Sequence, residues 1–119
     1  MNTKVLKVIR WIMIALLSIQ FLAAGFAKLL GAWNTMFEKW GYSTEFAYII
    51  GVLELVAVAG LYISRVRKYA LYAIVLIMIG AIYTHVMASE YVRIMHNLAI
   101  TLIAVVIFMV ERKLSRSHE

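Results

Sequence analysis

Residues 46–64 read FAYIIGVLELVAVAGLYIS, nineteen positions with no basic group and a single carboxylate, Glu54. The run is continuous rather than alternating, so it does not read as a strand with one wet face. Its length matches the roughly 20 apolar residues that a helix needs to cross hydrocarbon. Three more runs of the same kind flank it, at 8–30, 69–88 and 92–110. Apolar residues make up 65% of the 119-residue chain and charged ones 15%. A soluble domain is closer to half apolar and about a quarter charged. A soluble four-helix bundle would also need a broad polar face on each helix, which these runs lack. Membrane barrels alternate, and there is no proline to interrupt a helix. The first run is too long for the core of a signal peptide, and no small-x-small cleavage site sits in a polar setting after it. The reading is an all-α, polytopic membrane protein, one domain over 1–119, with four transmembrane helices in an antiparallel bundle.

The net charge of +6 is explained by its placement. Lys4, Lys7 and Arg10 precede the first run, Arg65, Arg67 and Lys68 fill the second turn, and Arg112, Lys113 and Arg116 follow the last. Nine of the twelve basic residues thus fall on one side. The positive-inside rule then puts both termini in the cytoplasm of a bacterial-type inner membrane. No nucleic-acid partner is needed to account for the charge. On the other side, Trp33, Met36, Phe37 and Trp40 recur at helical spacing, which predicts a short interfacial helix over 33–41, ended by Gly41.

Ionisable groups in lipid are costly and usually face the bundle interior. Gln20 and Lys28 share a face of the first helix. Glu54 stands on the second, Thr84 and His85 on the third, and Arg93, His96, Asn97 and Thr101 form a stripe on the fourth. At about 1.5 Å per residue, these groups fall in the outer half, a pocket narrowing toward Glu54, while the cytoplasmic half has almost no interior polar groups. Lys28 reads either as a snorkelling interfacial cation or as the counter-ion of Glu54. A direct pair needs the first helix to sit deeper than the run lengths suggest, or a water between. His85 and His96 lie equally far from the hairpin apex at 90–91, so they either face each other or cap their helix ends. Asn97 reads as interhelical glue, Arg93 with Glu90 as a surface pair, and Gly51, Gly60 and Gly80 as close-packing positions. No metal site is expected from the seven methionines.

FLAAGFAKLLG (21–31), with Phe21, Gly25, Lys28, Leu29 and Gly31, resembles the first-helix signature of the DoxX-like membrane proteins. IIGVLELVAVAGLYISR (49–65) is similar to that family's second helix and MIGAIYTH (78–85) to its third. The resemblance covers about 8–110. It implies a compact four-helix bundle, in a family named for a subunit linked to thiosulfate:quinone oxidoreduction. Other relatives are associated with oxidative-stress complexes or with assembly of membrane proteins. By that analogy Lys28 and Glu54 match recurrent charged positions. With no cysteine here, thiol chemistry would fall to a partner.

Four functions are weighed on these grounds. An accessory or assembly subunit of a membrane redox system, with a redox partner or as a homo-oligomer, leads. Second is a quinone-binding oxidoreductase subunit, with Lys28, Glu54, His85, His96, Asn97 and Gln20 as pocket residues. Haem between His85 and His96 is disfavoured, because adjacent helices lie only about 8–10 Å apart. Transport is disfavoured by the apolar cytoplasmic half.

Overall fold

The computed structural model describes residues 2–117. Five helices follow in order: α1 (Thr3–Leu29), α2 (Asn34–Lys39), α3 (Thr44–Leu61), α4 (Arg67–Met87) and α5 (Tyr91–Ser117). Four of them, all but α2, are long and apolar enough to cross a membrane. They form a ring in which α1 packs on α3 and α5, while α4 packs on the same two. The rod measures 49 × 25 × 18 Å, long enough for a hydrocarbon core of about 30 Å with both headgroup zones. Its surface is the reverse of a soluble protein's: Leu76, Met95 and Leu102 are each more than 60% exposed. In lipid such surface costs nothing, so packing rather than burial of oil holds the ring together.

Each of the four apolar runs falls on one of the long helices α1, α3, α4 and α5, with edges set by local chemistry. α1 begins at Thr3 because the Asn2 side chain accepts from the Lys4 backbone N–H, a standard N-cap. The short helix is α2, six residues long and packed on α3. Gly31 and Gly41, at φ +85° and +91°, follow the ends of α1 and α2. In each case the glycine N–H and the next N–H turn back onto the helix's last carbonyls, the left-handed closure that favours glycine.

The α4 end uses the same closure with a serine. Ser89 has φ +58°, a conformation that costs a residue with a Cβ roughly 1 kcal/mol. The Ser89 N–H bonds the Val86 carbonyl and the Glu90 N–H bonds that of His85. This turn directs Glu90 back over α4 instead of forward along α5.

At the opposite end of the rod, α1, α4 and α5 are tied by charge. Glu111 Oε1 accepts from Arg10 at 2.8 Å and from Arg67 at 3.0 Å. Arg67 is 3% exposed, and its Nε donates to the Leu61 carbonyl at 2.6 Å, closing the end of α3. Both guanidinium groups lie 5.2 Å from the Trp11 ring centre. Ser18 and Tyr62 share a hydrogen bond of 2.8 Å nearby. The expectation of a half nearly free of interior polar groups is therefore corrected. Arg67, read from sequence as a turn residue that sets orientation, is a buried structural anchor.

Candidate functional site

The site begins where α1 and α3 cross. A Cβ at Gly51 would sit 3.0 Å from the Gly25 carbonyl oxygen and 3.0 Å from the Lys28 Cβ. Neither can retreat easily, since one is backbone and the other is the root of a side chain. The close approach sets Lys28 level with Gly51, one turn above Glu54. Lys28 therefore reaches Glu54 directly: Nζ to Oε1 is 2.9 Å, with Lys28 9% and Glu54 3% exposed. The charges touch although the ammonium is not aligned for a full hydrogen bond to Oε1. Of the two readings of Lys28, the structure takes the ion pair, without an intervening water. Gly51→Ala should push α1 off α3 and lower stability by about 1–3 kcal/mol. A detergent-titration unfolding curve measures this.

Aromatic rings cover one end of the cavity that this crossing opens. Phe37 of α2 packs against Trp40, Tyr42 and Phe46 at ring-centre distances of 5.4–6.0 Å. Tyr42 fastens the loop to α4 through Thr84 Oγ1 at 2.8 Å, and Thr84 in turn donates to the Gly80 carbonyl. Trp40 meets the edge of His85 at 5.3 Å. His85, buried at 6% exposure, places Nδ1 2.9 Å from Glu90 Oε1. A carboxylate only accepts, so Nδ1 carries the hydrogen, and Nε2 has no bond to the protein. His85 thus has a local partner, and Trp40 rather than His96 as its ring contact. The capping alternative is the nearer of the two expectations, with a side chain in place of a carbonyl. Haem ligation finds no support in this pairing.

The cavity has a volume of about 460 Å³, within the range of small-molecule sites. Lys28, Glu54, His85, His96, Asn97 and Gln20 all line it. They are not equivalent. Asn97 is buried at 7%, and its carboxamide bonds no group among the described residues. Gln20 is half-buried and His96 is exposed at the rim. The apolar part of the lining includes Phe21 and Met78, both buried, with Ile77 and the largely exposed Leu76. Gly80 opens into this wall: a Cβ there would meet nothing within 4 Å. Its reading as a close-packing glycine is corrected, whereas Gly51 and Gly60 keep theirs.

Arg93 is the residue that sequence reasoning placed wrongly. It lines the cavity and makes no surface pair with Glu90, whose carboxylate is taken by His85. Its guanidinium carbon lies 5.2 Å from the Trp33 ring centre, and Lys28 Nζ lies 5.1 Å from the same ring. Arg93 Nη1 is buried with no acceptor. The i, i+3, i+4 stripe of Arg93, His96 and Asn97 holds the signal, since Arg93 shares a face with the interior Asn97.

The sequence model of the DoxX-like family matches residues 12–107. No curated protein and no solved structure matches the chain.

Proposed function

The chain belongs to the DoxX-like family, and on that premise we propose an accessory subunit of a membrane redox system that holds a lipophilic small molecule of the quinone class. One observation carries the proposal: a cavity with an apolar floor and hydrogen-bond donors gathered at one end. Quinone carbonyls are acceptors, matching Lys28 and Arg93. The ring would lie near Trp33 and Trp40, and a chain of isoprenoid type among Leu76, Ile77 and Met78. Glu54 and the His85–Glu90 couple are the groups able to exchange protons with a reduced ligand. Electrons would come from the redox partner. In an inner membrane with cytoplasmic termini, the donor end faces outward. The Lys28–Glu54 pair also supports a structural part in this role, because it sits beside the Gly25–Gly51 crossing and fixes its register.

Tryptophan fluorescence tests the binding. The chain has three tryptophans, and only Trp33 and Trp40 line the cavity. Adding 2-methyl-1,4-naphthoquinone to the protein in lipid nanodiscs should give saturable quenching. Trp11→Phe should keep it, and the Trp33→Phe/Trp40→Phe variant should show only the linear quenching of quinone dissolved in lipid. Linear quenching in all three proteins would contradict the proposal.

A further inference from the structure

We infer that Arg93 is an anion-binding group, and that the cavity takes an amphiphile whose head carries one negative charge. The inference rests on the reading that the cavity holds a ligand, though not on that ligand being a neutral quinone. Its basis is a count of charges. The cavity is lined by two fixed cations, Lys28 and Arg93, and by one carboxylate, Glu54. Glu54 is engaged by Lys28 at 2.9 Å. Glu90, the nearest acid in sequence to Arg93, is engaged by His85. Glu38 of α2 and Glu45 of α3 are exposed and take no part in the lining. The other titratable groups on the wall are His96, which cannot supply negative charge, and Tyr42, whose hydroxyl is bonded to Thr84. Among the described residues Arg93 is therefore left without a counter-ion.

A buried N–H without an acceptor is expensive, more so when it belongs to a charged group. Arg93 Nη1 is in that position. Trp33 lies against both cations and holds their heads at the same end of the cavity. Asn97, one helical turn beyond Arg93, adds a buried carboxamide with no partner among the described residues. A planar guanidinium flanked by an amide donor suits a carboxylate, a phosphate or an ionised enol. Immediately beyond lie Phe21, Leu76, Ile77 and Met78, a wall for an apolar body and not for a hydrated ion. The two ends together select an anionic amphiphile. The same chemistry could come from an ionised hydroxyquinone or from a fatty acid.

The test uses nanodiscs of zwitterionic lipid and two probes of nearly equal size. One is 2-hydroxy-1,4-naphthoquinone, ionised at neutral pH, and the other is the neutral 2-methyl compound. Both are read by quenching, and dodecanoate is added as a non-quenching competitor. The ionised probe should bind at least about tenfold more tightly, the factor expected for hydrogen bonds to a charged group. Arg93→Gln should remove the preference, weakening the ionised probe at least about tenfold more than it weakens the neutral one. Arg93→Lys, which keeps the charge and loses the fork, should retain part of it. A thermal melt of each variant confirms folding. Equal binding of the two probes, or a preference that survives in Arg93→Gln, overturns the inference while leaving quinone binding in place. Arg93-dependent displacement of the ionised probe by dodecanoate, with no binding of the neutral probe, supports it and overturns the quinone reading. If none of the three compounds binds, both fall.

Discussion

Lys28→Met is expected to destabilise the folded bundle by about 3–5 kcal/mol, the usual cost of leaving one member of a buried ion pair behind. Glu54 is 3% exposed and its carboxylate has no other protein donor. The neighbouring wall cannot compensate, because α1 and α3 already touch through Gly25 and Gly51 and cannot close further on the site. Glu54→Leu should be damaging for the reciprocal reason, with an ammonium left in an apolar crossing. The double variant Lys28→Met/Glu54→Leu should recover most of the loss, since apolar side chains of similar volume often replace a buried pair at little cost. Unfolding of the four proteins by a denaturing detergent in mixed micelles gives the coupling directly. Single variants as stable as the parent would show that the pair is not held as the structure has it. Full recovery of stability in the double variant, without recovery of ligand binding, would separate the pair's structural part from its part in the cavity.

Gly80→Phe is expected to have its large effect on binding instead. A glycine inside a helix is less favourable than a residue with a side chain by up to about 1 kcal/mol, and nothing packs against Gly80 in return. The space in front of it belongs to the cavity. A phenyl group there should fill the floor between Phe21 and Met78 while the helix gains propensity. Stability should hold or rise. Affinity for a naphthoquinone should fall by about tenfold to a hundredfold, the range set by overpacking a filled site. Gly51 carries the same residue type with the opposite consequence, because its Cβ would strike the α1 backbone.

The two glycines show what could and could not be read from sequence. The four spans were legible because lipid leaves few alternatives to a long apolar helix, and their ends could be placed from the basic clusters. Glu54 was legible because it is the only acid in its run, and Lys28 because its position on α1 looks toward it. Which glycine meets a backbone and which meets a cavity depends on the ring order of the helices, and no local pattern encodes that order. Arg93 was misassigned for a definite reason. Sequence puts it three positions from Glu90, a spacing that suggests a pair on one helix. Ser89 in its left-handed conformation ends α4 and turns Glu90 back to His85, so Arg93 is left facing the cavity. The Tyr42–Thr84 bond and the Arg10–Glu111–Arg67 cluster join residues 42 to 101 positions apart. Periodicity could not have found either.

The most direct measurement is a quenching titration of the parent protein and Gly80→Phe with 2-methyl-1,4-naphthoquinone, in matched nanodiscs with both melting curves recorded. A built ligand site requires saturable quenching in the parent and a curve shifted at least tenfold in a variant that is no less stable. Superimposable titrations from two equally stable proteins would show that the space beside Gly80 holds no quinone, and the cavity would then be a gap in the packing rather than a site.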